Sequence, residues 1–368
     1  MTSNSRMSAD HRQRGEAPLA EWIRADFGID LVSIESVDQG ADRAAQVRRG
    51  IASDGARYAI KWTTGGSRAG LTVPNRLADH GVPGVAGPIR TTAGGLYRER
   101  AGRRLSLTPW LSGDIAMNGA MTSEHWRSYG GVLAEAHAVP VDAELAAVLP
   151  REEYRLHEQY VAAVRTVQRG IDELDAAASR ADRGDPHPAG LDDRLVQSLR
   201  AEWRASKELI TSLTTQVEVL ASDLRDRPTP RVICHGDPHL GNLLLRGADQ
   251  VWLIDWDDTV LAPPELDLQF VLGGVLYFAL VGEQEQSWFF DGYGPIEIDP
   301  ARLAYYRCAR ALEDLVIPAA EVLDLDGFDR QARSDALAIV RGVLSPTGLA
   351  TLAWGSLREL GMVAGRDS

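Results

Sequence analysis

The sequence predicts an α+β fold in two lobes, a small β-rich N-terminal lobe followed by a larger, mainly helical C-terminal lobe. Three observations carry this expectation. A length of 368 residues exceeds the size at which one hydrophobic core usually keeps growing. The first third holds short apolar or alternating runs separated by turns containing Gly, Pro and Asp, the pattern of strands. From Ser123 onward apolar residues recur at three- and four-residue spacing over long stretches, the pattern of helices.

Residues 1–18 are polar and lack the apolar core of a secretory leader, so they read as a disordered tail. Leu19–Phe27 has helical spacing, and the strand-like Ile34–Val37 leads into the turn Gln39-Gly40-Ala41-Asp42. Ala44–Ile51 and Arg57–Trp62 are the next strands, around the turn Ser53-Asp54-Gly55. Pro83 and Pro88 punctuate a loop, Gly94-Gly95 marks a turn, and Arg104–Thr108 closes an N-terminal lobe spanning 19–108. Residues 109–113 read as a hinge, and 114–368 as the helical lobe. There, Ser123–Ala138 opens on a Ser cap signal and ends before Pro140. Glu152–Ala178 and Leu191–Leu224 are expected as two long helices joined by the polar linker Arg183–Pro188, the second broken by Pro228-Thr229-Pro230. Phe270–Gly282 reads as a buried helix, too short to span a membrane, and Leu303–Glu321 is the clearest amphipathic stretch.

Composition narrows the function classes. The net charge of −13 repels phosphate backbones and no dense Lys/Arg run offsets it, so nucleic acid is excluded as a partner and a cationic one favoured. No apolar stretch calls for a membrane. The two cysteines, Cys234 and Cys308, cannot build a disulfide framework, which fits a reducing, cytoplasmic compartment. Of 39 basic residues only Lys61 and Lys207 are lysines, in keeping with a GC-rich coding sequence, so each lysine repays inspection.

The chemistry concentrates in 231–257. The apolar Val232-Ile233 delivers His235-Gly236-Asp237, and Asn242 follows five residues after Asp237. Leu243-Leu244-Leu245 and Val251–Ile254 then flank a turn, a hairpin signature. Antiparallel pairing makes Asn242 and Asp255 neighbours, so Asp237, Asn242 and Asp255 converge. Each alone is an ordinary turn residue. Together, Asn242 and Asp255 suit a hard cation such as magnesium, while Asp237 faces an acceptor hydroxyl. Protein-kinase catalytic loops share the Asp-to-Asn spacing and a later metal-binding Asp. Independently, Tyr58-Ala59-Ile60-Lys61-Trp62 has the form of the strand whose lysine contacts nucleotide phosphates. His235 reads as a loop-stabilising histidine.

At these residues the sequence resembles the aminoglycoside phosphotransferase family, antibiotic kinases with a bilobal protein-kinase-like fold. Ile254-Asp255-Trp256-Asp257-Asp258, Pro263-Pro264-Glu265-Leu266-Asp267-Leu268, Gly292-Tyr293-Gly294 and Tyr305-Tyr306-Arg307 are most similar to its spectinomycin phosphotransferase branch. The resemblance implies ATP and Mg2+ as cofactors, with phosphoryl transfer to the 9-hydroxyl of an aminocyclitol. It assigns Asp237 as base, Asn242 and Asp255 as magnesium ligands, and Lys61 as the α/β-phosphate contact. Gly40, Ala41 and Asp42 would lie at the nucleotide, Pro109, Trp110 and Leu111 at the adenine, and Asp267 would brace the catalytic segment. A helical substrate-binding subdomain is expected within 114–368. A small cationic antibiotic would want carboxylates, for which Asp258, Glu313 and Asp314 are candidates; the last two also fit an exposed acidic helix face.

Two departures stand out. No full Gly-x-Gly-x-x-Gly surrounds Gly40, and the glutamate that should orient Lys61 is missing, because Ser67–Leu77 contains no acidic residue and has Pro74 in its middle. Two other functions compete with the antibiotic kinase: a kinase of choline, homoserine, a sugar or another antibiotic, and a nucleotide-binding pseudokinase. Retention of both metal-ligand positions argues against the last.

Overall fold

The computed structural model describes residues 18–37, 45–181 and 191–364. Gly40, Ala41, Asp42, the linker Arg183–Pro188 and most of the expected tail lie outside them. In chain order the elements are α1 (18–27), β1 (Leu31–Ser36), β2 (Ala45–Ala52), β3 (Arg57–Thr63), α2 (Ala69–Asp79), β4 (Arg98–Arg100), β5 (Arg103–Pro109), β6 (Asp114–Ile115), α3 (Ser123–Ala138), α4 (Ala143–Val148), α5 (Leu156–Ala181), α6 (Arg194–Ala205), α7 (Lys207–Arg225), β7 (Val232–Cys234), β8 (Leu243–Arg246), β9 (Gln250–Leu253), β10 (Val260–Ala262), α8 (Glu265–Leu268), α9 (Glu283–Tyr293), α10 (Pro300–Leu323), α11 (Arg330–Leu344) and α12 (Leu349–Glu359). The described residues of Met1–Pro150, His235–Val260 and Trp288–Gly294 form one compact unit; those of Arg151–Cys234, Leu261–Ser287 and Pro295–Ser368 form a second.

The first unit is built on a five-stranded antiparallel sheet in the order β1-β2-β3-β5-β4. Strand alternation puts Tyr58, Ile60 and Trp62 on one face of β3 and Lys61 on the other. Ile60 pairs with Leu107 across β3 and β5. With Leu105 they bury completely against Leu19, Ile23 and Phe27 of α1. Each such aliphatic side chain contributes roughly 1.5–3 kcal/mol of transfer free energy, so this face fixes the register that presents Lys61 on the other.

A second sheet, β6-β8-β9, carries the expected hairpin, with Leu243 opposite Leu253 and Leu245 opposite Val251. Leu243, Val251 and Leu253 are buried, and Val251 N–H donates to Ser128 Oγ of α3 at 3.2 Å. Helix α3 has the expected span, but Ser123 is its first helical residue and not its cap. Thr122 caps it: its hydroxyl accepts from His125 N–H, and its own N–H donates to the His125 ring.

In the second unit α10 is the central helix, packed by α5, α7, α11 and α12. It starts at Pro300, earlier than the apolar spacing alone marks, because Asp299 accepts from Ala301 and Arg302 N–H. The long helix expected over Leu191–Leu224 is two helices, α6 and α7, separated at Ser206, whose φ/ψ of −102°/8° ends one and begins the next. Glu152–Ala178 begins only at Leu156, after Tyr154 takes a left-handed φ of 57° and Glu152 N–H bonds Leu261 C=O at 3.0 Å. Phe270–Gly282 is a series of turns and no helix. Gly273 and Gly274, at φ 95° and 74°, leave the helical region, while Val271, Val275 and Val281 are still buried. Among the described residues no helix is long and apolar enough to cross a membrane.

Candidate active site

The candidate residues Lys61, Asp237, Asn242 and Asp255 all lie in the first unit. His235 is fully buried, and its ring ties the catalytic loop to the end of the hairpin. Its Nδ1 accepts from Asp237 N–H at 3.3 Å, which leaves Nε2 as the donor to Ile254 C=O at 2.9 Å. The ring also lies 4.6 Å from that of Trp256. Both ring nitrogens of His235 are thus engaged by backbone groups.

Gly236 is required by geometry. Its φ is 94°, and a Cβ there would stand 2.3 Å from the carbonyl oxygen of Asp258. Next to it, the carbonyl of Asp237 accepts from Asn242 Nδ2 at 2.8 Å, and the carboxylate lies 3.4 Å from His239 Nε2. Tyr129, buried in α3, donates its hydroxyl to Pro238 C=O at 2.6 Å. The loop backbone is thus pinned on both sides of Asp237.

Ile254 N–H donates to Asn242 C=O at 2.9 Å, which extends the β8/β9 ladder by one pair and brings Asn242 beside the step into Asp255. Asp255 adopts a left-handed φ/ψ of 61°/64° and keeps its side chain half exposed. Lys61 Nζ lies 3.0 Å from Asp255 Oδ1 and 2.7 Å from Asp257 Oδ2. Burial lowers the Lys61 pKa, but the charges of Asp255 and then Asp257 outweigh it, and the net direction is upward. The partner missing from α2 is therefore supplied from beyond the hairpin. The sequence marks Asp257 only by its spacing two residues after Asp255.

Asp258 keeps an exposed edge, yet desolvation raises its carboxyl above the usual range, reinforced by the charges of Asp237, Asp255 and Asp257. Four carboxylates thus face one lysine and a histidine. That excess, with one half-exposed carboxylate on Asp255 and an Asn242 amide whose nitrogen is spent on Asp237 and whose oxygen remains to accept, is the donor chemistry that suits magnesium. The residues present fit the ion.

Pro109 pairs with Tyr58 at the end of β5, Trp110 N–H continues to Arg57 C=O at 2.9 Å, and Leu111 follows half buried. The Arg49 guanidinium sits 5.5 Å over the Trp110 ring. Glu313, Asp314 and Asp267 belong to the second unit. On α10, Arg310 pairs with Asp314 at 2.9 Å and approaches Glu313 at 3.9 Å, and Glu313 also faces the Tyr160 hydroxyl. Both carboxylates are half buried and share the one Arg310 guanidinium, so they are not the freely exposed face that the helical spacing allowed. Asp267 is fully buried on α8; after burial itself, its charge and that of Glu265 push the Cys234 thiol far up.

The profile of the phosphotransferase enzyme family matches residues 57–312, more than half of the chain. Among solved structures, spectinomycin phosphotransferase in complex with ADP and spectinomycin superposes with a TM-score of 0.78 at 24% identity, covering 92% of this chain and 98% of that one. The same enzyme bound to AMP gives a TM-score of 0.73 at 23% identity and the same coverage. An amicoumacin kinase in complex with AMP-PNP and Ca2+ gives 0.58 at 15% identity, covering 91% and 94%. The expected α+β, kinase-like architecture is thus the observed one, and the chain belongs to the phosphotransferase enzyme family.

Proposed function

We propose that this protein is an ATP- and Mg2+-dependent O-phosphotransferase that phosphorylates a hydroxyl of an aminocyclitol or aminoglycoside antibiotic, with spectinomycin and its 9-hydroxyl as the acceptor. The observation that supports this is the gathering of Lys61, Asp237, Asn242 and Asp255 within one compact unit, with the Asp237 N–H held by the His235 ring and its C=O by the Asn242 amide. Phosphoryl transfer asks a protein chiefly to position its reactants and neutralise charge, and this set does both. Asp237 orients the acceptor hydroxyl and takes its proton. Lys61 neutralises the α- and β-phosphates. Asn242 and Asp255 hold magnesium, which when bound neutralises charge developing on the transferred phosphoryl group.

Pro109–Leu111, at the end of β5, would contact adenine and serve as the hinge between a lobe of residues 19–108 and one of 114–368. Gly40, Ala41 and Asp42 would add to the nucleotide contacts, as the resemblance implies. Asp258, Glu313 and Asp314 would supply carboxylates for the amino groups of the acceptor, and Asp267 would brace the catalytic segment, as the resemblance implies. The net charge of −13 favours such a cation, and two thiols kept buried are at home in the cytoplasm.

The test is direct incubation of the purified protein with ATP, Mg2+ and spectinomycin. A product heavier by one phosphoryl group in the mass spectrum is expected. Its absence, with transfer to choline, homoserine, a sugar or another antibiotic in a parallel panel, moves the acceptor assignment. Absence with every acceptor, while nucleotide still binds, turns the reading to a pseudokinase.

A further inference from the structure

We propose that Asp257 positions Lys61, in the place that kinases give to a glutamate on the helix following the lysine strand. This rests on the phosphotransferase reading of the site and names a residue that reading does not include. Helix α2 cannot supply the carboxylate. Its one acidic residue, Asp79, lies at its C-terminal end and is engaged by Arg90 at 3.1 Å and by Asn75 at 2.9 Å. Asp257 is closer to Lys61 Nζ than Asp255 is, at 2.7 against 3.0 Å, and its side chain is 23% exposed where that of Asp255 is 51%.

The segment leading into α2 is cut to admit Asp257. At Gly66, with φ 69°, a Cβ would stand 2.5 Å from Asp257 Oδ2; at Gly70 it would stand 2.9 Å from Asp257 Cα and 2.8 Å from Trp256 C=O. Ser67 Oγ lies between these two glycines, donating to Asp257 C=O at 3.4 Å and accepting from Gly70 N–H at 3.3 Å. The coupling between helix and lysine that a glutamate would give through its side chain is made here through backbone contact with the 256–257 segment.

The two carboxylates divide the work. Asp255, half exposed, can turn to a cation without releasing Lys61, because the enclosed Asp257 still neutralises and aims the ammonium group.

The chain itself provides a readout independent of turnover. Lys61 and Lys207 are its two lysines, and Lys207 is exposed on α7. Brief acetylation followed by peptide mass spectrometry measures the reactivity of Lys61 against Lys207 as an internal standard. Asp257→Asn should raise the relative reactivity of Lys61 by about two- to fivefold, the factor expected for an exposed-to-half-buried ion pair worth up to ~1 kcal/mol. Asp257→Glu should restore protection, and Asp257→Ser replaces Asn if that variant does not fold. In kinetics, Asp257→Asn should raise KM for ATP and leave the half-saturating Mg2+ concentration unchanged, whereas Asp255→Asn shifts the latter. Adding Asp257→Asn to Lys61→Met should cost nothing further.

Unchanged Lys61 reactivity in Asp257→Asn overturns the proposal. So does a Mg2+ requirement shifted as in Asp255→Asn, which would make Asp257 a metal ligand, or full additivity with Lys61→Met. If the wild type transfers phosphate to no acceptor, the functional reading fails while the labelling result still decides this one.

Discussion

Gly236→Ala separates backbone strain from close approach in the catalytic loop. Gly236 sits at φ 94°, and an added Cβ would lie 2.3 Å from Asp258 C=O. Gly55, in the β2–β3 turn, has a similar φ of 85° with no atom within 4 Å of its would-be Cβ. Gly55→Ala therefore measures the conformational cost alone, about 1–2 kcal/mol for a non-glycine residue at positive φ. Gly236→Ala adds an overpacking cost of about 1–3 kcal/mol, since the obstacle is backbone and cannot rotate away. To reach an ordinary contact, the loop and the 258 segment must part by about 1 Å, and a misplacement of that size costs roughly 10²-fold in rate. Denaturant unfolding and steady-state kinetics on both variants are the assays. Gly55→Ala should lose a little stability and no activity; Gly236→Ala should lose more stability and about two orders of magnitude in kcat. Equal stability losses for the two, or a Gly236→Ala enzyme with wild-type kcat, would refute the argument.

Asp237→Asn keeps the shape of the loop and removes the proton acceptor, so kcat should fall by roughly 10²–10⁴-fold with nucleotide affinity unchanged by calorimetry; unaltered turnover removes Asp237 from the mechanism. Asp258, whose carboxyl is raised by burial and by three neighbouring carboxylates, stabilises the fold fully only below its unfolded pKa and loses that contribution as pH rises through its folded one. Asp258→Asn should therefore raise Tm at pH 7 in metal-free buffer and have no such advantage near pH 3; a lower Tm at pH 7 contradicts the clustering. Both cysteines are fully buried, with burial pushing Cys308 up to about 12 and Cys234 far above its usual value, so iodoacetamide at pH 8 should label neither until denaturant is added. Labelling of the native chain at the rate of a free thiol would contradict that burial.

Several elements were legible because local signals agreed. The β2–β3 hairpin, the strand bearing Lys61, helix α3 and the β8/β9 hairpin follow from alternation, turn residues and caps acting over a few positions. The misses share the opposite cause. Leu191–Leu224 keeps one apolar period across Ser206, so periodicity cannot show the break into two helices. The apolar run Phe270–Gly282 satisfies burial as either helix or turns, and two glycines at positive φ decide for turns.

By itself, the sequence singled out the candidate residues: Lys61 by lysine scarcity, and Asp237, Asn242 and Asp255 by spacing and hairpin pairing, which places residues only a few positions apart. Pairing between β3 and a segment almost two hundred residues later obeys no sequence period. Only the tertiary structure could bring Asp257 to Lys61, engage Glu313 and Asp314 with Arg310, and press Gly236 against Asp258. Those contacts are set by how close two backbones approach, and a residue's type records that approach only where the approach excludes a side chain, as at Gly66, Gly70 and Gly236.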